Sequence, residues 1–192
     1  MRGHALQKFL MLKIIFFILT IAIGALLIYA TSRPNAFRVE RSTVIAAPPE
    51  KIFPLINDLH QWEPWSPWEK LDPALKRSYS GAGSGLGAVY EWQGNKDVGH
   101  GRMEITQSTA PTHVVLKLHF IKPFEAHNTV EFVLSKEAGG TRVTQAMYGP
   151  SPFIAKLMGL VFSMDKMVGS KYEEGLGNLK ALAELKALAG RS

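Results

Sequence analysis

A chain of 192 residues, 46% of them hydrophobic, is long enough for one domain with a substantial core and one accessory segment. It contains no cysteine, which excludes disulfides, thiolate metal sites and cysteine nucleophiles. The formal charge is +6, but Arg2, Lys8 and Lys13 precede the first acidic residue, Glu40. The remainder holds 19 basic against 16 acidic side chains, a dispersed excess without the clustered basic face of a nucleic-acid surface.

Ile14 to Ala30 carries no charge, and with Phe9 to Leu12 the apolar run reaches the ~20 residues needed to cross a bilayer, with Lys13 able to snorkel. It is longer than the apolar core of a signal peptide, and the exit from Ile28 to Pro34 offers no small-x-small cleavage site. The expected organisation is a membrane anchor over residues 1–31 (helix about 10–30), a short connector over 32–36 and one domain over 37–189. Arg2, Lys8 and Lys13 on one side are balanced by Arg33, Arg38 and Arg41 on the other; the free amino terminus tips the expectation toward an extracytoplasmic domain.

Phe37 to Ile45 alternates as a strand, and Pro48, Pro49 and Glu50 then open a short helix with Ile52, Phe53, Leu55, Ile56 and Leu59 at helical spacing. His60 to Glu69 holds Trp62, Trp65 and Trp68, and its prolines forbid a regular helix or central strand. This segment is either a loop pinned by aromatic packing or an aromatic lip over a pocket mouth. Gly81 to Gly87 lacks the lysine and spacing of a phosphate loop and reads as a mobile hairpin connection. Strand-like segments follow at Ala88–Gln93, Gly99–Gln107, His113–Phe120, Glu125–Ser135 and Thr141–Tyr148, joined by turn residues close enough together for antiparallel hairpins.

Pro152 to Ser163 suits a short helix, and Asp165 to Leu188 a longer one. Across the whole stretch from Ser151 to Ala189, Val161, Met164, Val168, Tyr172, Gly175, Leu176, Leu179 and Leu182 recur as one apolar stripe. Gly175, in the middle of that stripe, leaves either close backbone contact or room for a ligand beneath the helix.

Alternation puts Val114, Leu116, Leu118 and Phe120 on the inner face of one strand, Val130, Phe132 and Leu134 on the next, and Val143, Gln145 and Met147 on the last. Asn128 and Gln145 are then polar groups among hydrophobes, needing internal partners or a ligand. Tyr90 and Trp92 are expected inside and Glu91 outside. His4, His60, His100, His113, His119 and His127 read as surface residues. His127 and Glu131 share a strand face with Thr129 between them and, with Glu125, suggest at most a metal pair lacking a further ligand; a solvated strand face is expected there, with no metal site and no cofactor.

The order strand, Ala-Pro-Pro-Glu-Lys-Ile-Phe helix, Asn57–Trp62, Trp65-Ser66-Pro67-Trp68, hairpin run, Gly140–Thr144 and long terminal helix resembles the START-like (SRPBCC) superfamily, most closely its bacterial polyketide cyclase/dehydrase branch, over about Phe37 to Ala187. The resemblance implies an α+β helix-grip fold, a curved antiparallel sheet wrapped around a long C-terminal helix with an apolar cavity between them. The expected function is a membrane-anchored module holding a hydrophobic small molecule or lipid, with Trp62, Trp65, Trp68, Tyr90, Trp92, Asn128, Gln145, Met147, Tyr172 and Gly175 near the ligand. The alternatives are a cyclase or dehydrase-type enzyme using Tyr90 or Glu91, and an interaction domain with a packed interior.

Overall fold

The computed structural model describes residues 2–189, with side chains from residue 7; the side chains of Arg2 and His4 lie outside the described residues. The elements run α1 (Arg2–Thr31), β1 (Ala36–Ile45), α2 (Pro49–Asn57), β2 (Lys76–Gly81), β3 (Ala88–Gln93), β4 (His100–Thr109), β5 (His113–Lys122), β6 (Ala126–Glu137), β7 (Gly140–Pro150), α3 (Phe153–Met158) and α4 (Met164–Ala189). Two 3-10 turns, Leu59–Gln61 and Pro67–Lys70, lie between α2 and β2. The chain groups into two compact units, one from α1 through Asn35 together with Ser151–Ser163, the other from Ala36–Pro150 and Met164 onward.

In the first unit, Gln7–Thr31 is a helical stretch of 25 residues, apolar enough to cross a membrane, with none of its most apolar window buried. α3 is tied to the chain just beyond it. The Ser151 amide donates to the Asn35 carbonyl at 2.7 Å, and Lys156 Nζ donates to Asn35 Oδ1 at 2.6 Å. With its one lysine turned in and bonded, the segment leaves Phe153, Ile154, Met158, Val161 and Phe162 exposed.

The second unit is a seven-stranded curved sheet in the order β1-β7-β6-β5-β4-β3-β2, antiparallel at every pairing. Short turns allow this because each strand returns beside its predecessor. Only β1 reaches across, to close the edge beside β7. Alternation holds on the inner face: Val114 and Leu116 on β5, Phe132 and Leu134 on β6 and Val143 on β7 are all buried. They share one core cluster with Tyr172, Leu176, Leu179 and Ala183 of α4 and with Ile52 and Ile56 of α2. The outcome is the α+β helix-grip architecture.

Arg41 links β1 to α4 from outside the core. Its guanidinium bonds Glu173 Oε1 at 2.5 Å and Asp165 Oδ1 at 2.9 Å, and Gly169 allows the group to lie against the helix backbone.

The structure differs from the sequence expectations at three places. β2, Lys-Arg-Ser-Tyr-Ser-Gly, is a polar edge strand with no apolar alternation to reveal it. The connection from Gly81 to Gly87 is pinned rather than mobile: the Gly85 amide donates to the Asn57 carbonyl at 2.9 Å and the Gly87 amide to the Ile105 carbonyl at 2.8 Å. Gly81, Gly85 and Gly87 all take positive φ, the conformation this tight course demands. The apolar stripe also starts later than its spacing suggested, because Val161 and Met164 are exposed.

Candidate functional site

The concave face of the sheet and α4 leave a cavity of about 130 Å³. The sheet contributes Tyr90 and Trp92 from β3, Met103 from β4, Leu118 and Phe120 from β5, Val130 from β6, and Gln145 and Met147 from β7. α4 contributes Val168 and Tyr172, and the tryptophan segment contributes Trp62, Ser66, Trp68 and Glu69. Trp68, Val98, Phe120 and Val168 are its half-buried members. An apolar cavity of roughly 150 Å³ takes a molecule of benzene's size, so this one suits a single ring or the end of an acyl chain.

The tryptophans divide by role. The Trp62 indole N–H donates to the Ile56 carbonyl at 2.9 Å and that of Trp65 to the Leu55 carbonyl at 3.1 Å. These bonds serve carbonyls of the last turn of α2, which the helix itself leaves without partners. Trp62 still presents a face to the cavity, whereas Trp65, 1% exposed, is wedged into the core. Trp68 meets the Tyr172 ring edge-on at 5.8 Å. Trp92, Tyr90 and Tyr79 of the sheet and His60 of the first 3-10 turn form a stacked row with centroid separations of 5.8, 5.1 and 4.0 Å.

Of the residues expected near a ligand, Trp62, Trp68, Tyr90, Trp92, Gln145, Met147 and Tyr172 line the cavity. Trp65, Asn128 and Gly175 do not. Asn128 lies inward but beside Gly149, where a side chain would meet its amide. Gly175 is not above open space: a Cβ there would stand 3.1 Å from Pro67 Cδ and 3.9 Å from Trp65 Cε3, so its missing side chain is close helix-to-loop packing.

The structure also brings in a titratable group that strand periodicity cannot reveal, Glu69 in the second 3-10 turn. Its side chain is 6% exposed and borders the cavity. The Tyr90 hydroxyl donates to Oε1 at 2.6 Å, and Arg77 Nε donates to Oε2 at 2.6 Å. Both carboxylate oxygens are thus engaged. Burial first, and then the bond to Glu69, push the Tyr90 hydroxyl pKa up, so its proton stays in place at neutral pH. Arg77 sits on β2, the strand the sequence hid, and Tyr90 on β3; only the β2–β3 pairing brings them to Glu69. Glu91, outside as expected, pairs with His100 at 3.0 Å.

On the outer face, the register between β5 and β6 sets His119 opposite His127. With Glu125 they form a cluster whose ligand atoms all lie within 4.8 Å, so a third potential ligand does exist, across the strands. The two imidazoles stack at 4.1 Å and 20°. Near-parallel rings have no common point in both planes at the ~2.0–2.1 Å a metal–nitrogen bond requires. His127 Nε2 lies 3.3 Å from Glu125 Oε1 in hydrogen-bonding geometry, and His119 Nε2 lies 3.5 Å from the same oxygen without a hydrogen bond.

With this geometry in place, the likenesses to known proteins can be read. A family model described as polyketide cyclase / dehydrase and lipid transport matches residues 36–184. The chain belongs to that family, within the START-like superfamily. A Staphylococcus aureus protein of unknown function is similar in fold, with TM-score 0.59 and 14% identity over 79% of this chain and 95% of that one. So is the Aha1 dimer protein of Colwellia psychrerythraea, with TM-score 0.54 and 17% identity over 77% and 96%. The di-domain ARO/CYC BexL of the BE-7585A biosynthetic pathway has TM-score 0.57 and 16% identity over 81% of this chain and 52% of its own. At such identities the likeness is one of fold. No curated protein matches the sequence.

Proposed function

We propose that this member of the polyketide cyclase / dehydrase and lipid transport family is a membrane-anchored binding module. It holds a hydrophobic small molecule, or the end of a lipid chain, between the sheet and α4. The observation that carries this reading is the cavity, whose wall is apolar and aromatic apart from Ser66, Glu69 and Gln145. Affinity comes from apolar area removed from water, about 25 cal/mol per Å².

The anchor is residues 1–31, joined by the connector 32–36 to the binding domain over 37–189, with the domain on the extracytoplasmic side. Two features support it. Gln7–Thr31 is long, apolar and exposed, and the segment tied to Asn35 presents Phe153, Ile154, Val161 and Phe162 close to where that helix ends. Apolar side chains beside a helix exit suit the interfacial layer of a bilayer.

A second reading, chemistry of cyclase or dehydrase type, is favoured by Glu69 and Tyr90 sharing the cavity wall. Against it, the Tyr90 proton is committed to Glu69 and the second oxygen of Glu69 to Arg77. A proton-transfer catalyst needs such a group within reach of its substrate and free to exchange.

The test is mass spectrometry of small molecules released from the full chain after extraction in mild detergent. A bound hydrophobic compound is expected. Val130→Phe, which places a ring in the cavity, is expected to reduce its recovery at least ~10-fold, about 1.4 kcal/mol of affinity. No released compound, together with no thermal shift across a panel of lipids and aromatics, would overturn the proposal.

A further inference from the structure

We infer that the segment from Ser151 to Ser163 is itself a membrane element, lying in the interfacial layer of the bilayer that α1 spans. This rests on the anchor reading above and deepens it, since the segment becomes a second, uncharged contact with lipid. Phe153, Ile154, Met158, Val161 and Phe162 all stand exposed along it, the last two at 78% and 57%. Soluble surfaces rarely carry so dense an apolar patch unless something covers it.

Three observations name lipid as the cover. First, α3 lies against α1, and among the described side chains of α1 the buried one is Ala30, in its last turn. The patch is therefore held at the level where that helix leaves the hydrocarbon. Second, charge is removed from the patch. Lys156 is the single charged residue between Ser151 and Ser163; it is 9% exposed, and its Nζ donates to Asn35 Oδ1. At 3.6 residues per turn, Phe153, Leu157, Ile154 and Met158 fall within one arc of about 140° on α3, and Lys156 falls on the far side.

Third, the backbone suits a medium poor in water. The amides of Gly159, Leu160, Val161 and Phe162 each donate to a carbonyl three or four residues back, at 2.8 to 3.1 Å. The chain thus turns beyond α3 without leaving those donors unpaired, which hydrocarbon would penalise. A protein partner is ordinarily met by polar and charged groups around an apolar centre. A lipid surface asks for none, and the one charge of this segment is turned away. An apolar face of this kind sits about 5–10 Å into the boundary between headgroups and acyl chains. With no basic side chain of the segment facing lipid, its insertion owes nothing to anionic headgroups.

The chain has no cysteine, so one engineered thiol carries one spin label. Ile154→Cys and Phe162→Cys, both at exposed positions, are made in the full chain and reconstituted into phosphatidylcholine vesicles. Phe16→Cys, inside the span, and Ala138→Cys, in the turn between β6 and β7, serve as references. Paramagnetic resonance compares each label's collisions with oxygen, which concentrates in hydrocarbon, and with a water-soluble nickel chelate. At the Ile154 and Phe162 sites oxygen collisions should exceed chelate collisions, at a depth of about 5–10 Å, shallower than at the Phe16 site. The Ala138 site should show the reverse. Depth should not change when anionic lipid is added or salt is raised. Labels in water at the Ile154 and Phe162 sites, with the Phe16 site in hydrocarbon, overturn the inference and leave the anchor standing. Labels shielded from both reagents put protein, such as a second copy, on the patch and overturn it as well. Insertion that appears only with anionic lipid does the same. A Phe16 site in water removes the anchor reading and this inference together.

Discussion

Replacing Gly175 by leucine separates a packed helix contact from an open one. Two effects oppose each other. Leucine recovers ~0.8 kcal/mol of helix propensity relative to glycine. Its Cβ, however, would already lie 3.1 Å from Pro67 Cδ and 3.4 Å from Pro67 Cγ, and Pro67 is a ring in a buried 3-10 turn that has no rotamer to move into. The next atoms of the leucine then have to displace that turn or Trp65, whose indole is held to Leu55. Overpacking of this kind costs ~1–3 kcal/mol. Setting the gain against the middle or upper part of that range leaves a net loss of ~1–2 kcal/mol, or ~2–8 °C in Tm for a domain of this size. Urea denaturation of the full chain in detergent measures it, with ligand recovery per folded molecule read on the same sample. The expected result is a lower midpoint with ligand capacity retained, because Gly175 is off the cavity wall. A variant as stable as the natural chain that no longer takes up ligand would refute this reasoning and put the open space beneath Gly175.

Tyr90→Phe keeps the aromatic row but removes the proton given to buried Glu69, and should cost ~1–3 kcal/mol in denaturant unfolding; an unchanged midpoint would mean that Glu69 does not depend on Tyr90. The Asp165 carboxyl pKa is held below its ordinary value by the hydrogen bond from Arg41. Its stabilisation is therefore fully present above the unfolded carboxylate pKa of ~3.9 and is lost as pH falls through the depressed folded value. The difference in midpoint between the natural chain and Asp165→Asn should accordingly be visible at neutral pH, weaken with salt and vanish at the acid end. A difference that persists undiminished at pH 2 sinks the argument.

Much of the fold was legible because period is a local property. Alternation placed Leu116, Phe132 and Val143 on one face, since a strand turns every second side chain the same way. The stripe through Tyr172, Leu176 and Leu179 announced a helix that needed a surface, and the uncharged run before Thr31 announced a span-length helix. Turn residues limited the connections to hairpins, which left an antiparallel meander as the economical sheet.

The site was legible only where it coincided with that pattern. Tyr90, Trp92, Gln145 and Met147 reach the cavity by strand parity. Glu69 and Arg77 come from a 3-10 turn and a polar edge strand, two places without a hydrophobic period, and meet only because β2 pairs with β3. His119 and His127 are far apart for a reader of the chain but adjacent once β5 and β6 take their register. Gly175 shows the division most plainly. Its composition said that something was missing on the inner face of the helix, which the sequence by itself determined. Whether Pro67 or a void occupied that place depended on how the loop after α2 folds back beneath α4, and only the tertiary structure decides that, because packing is settled between elements and not along them.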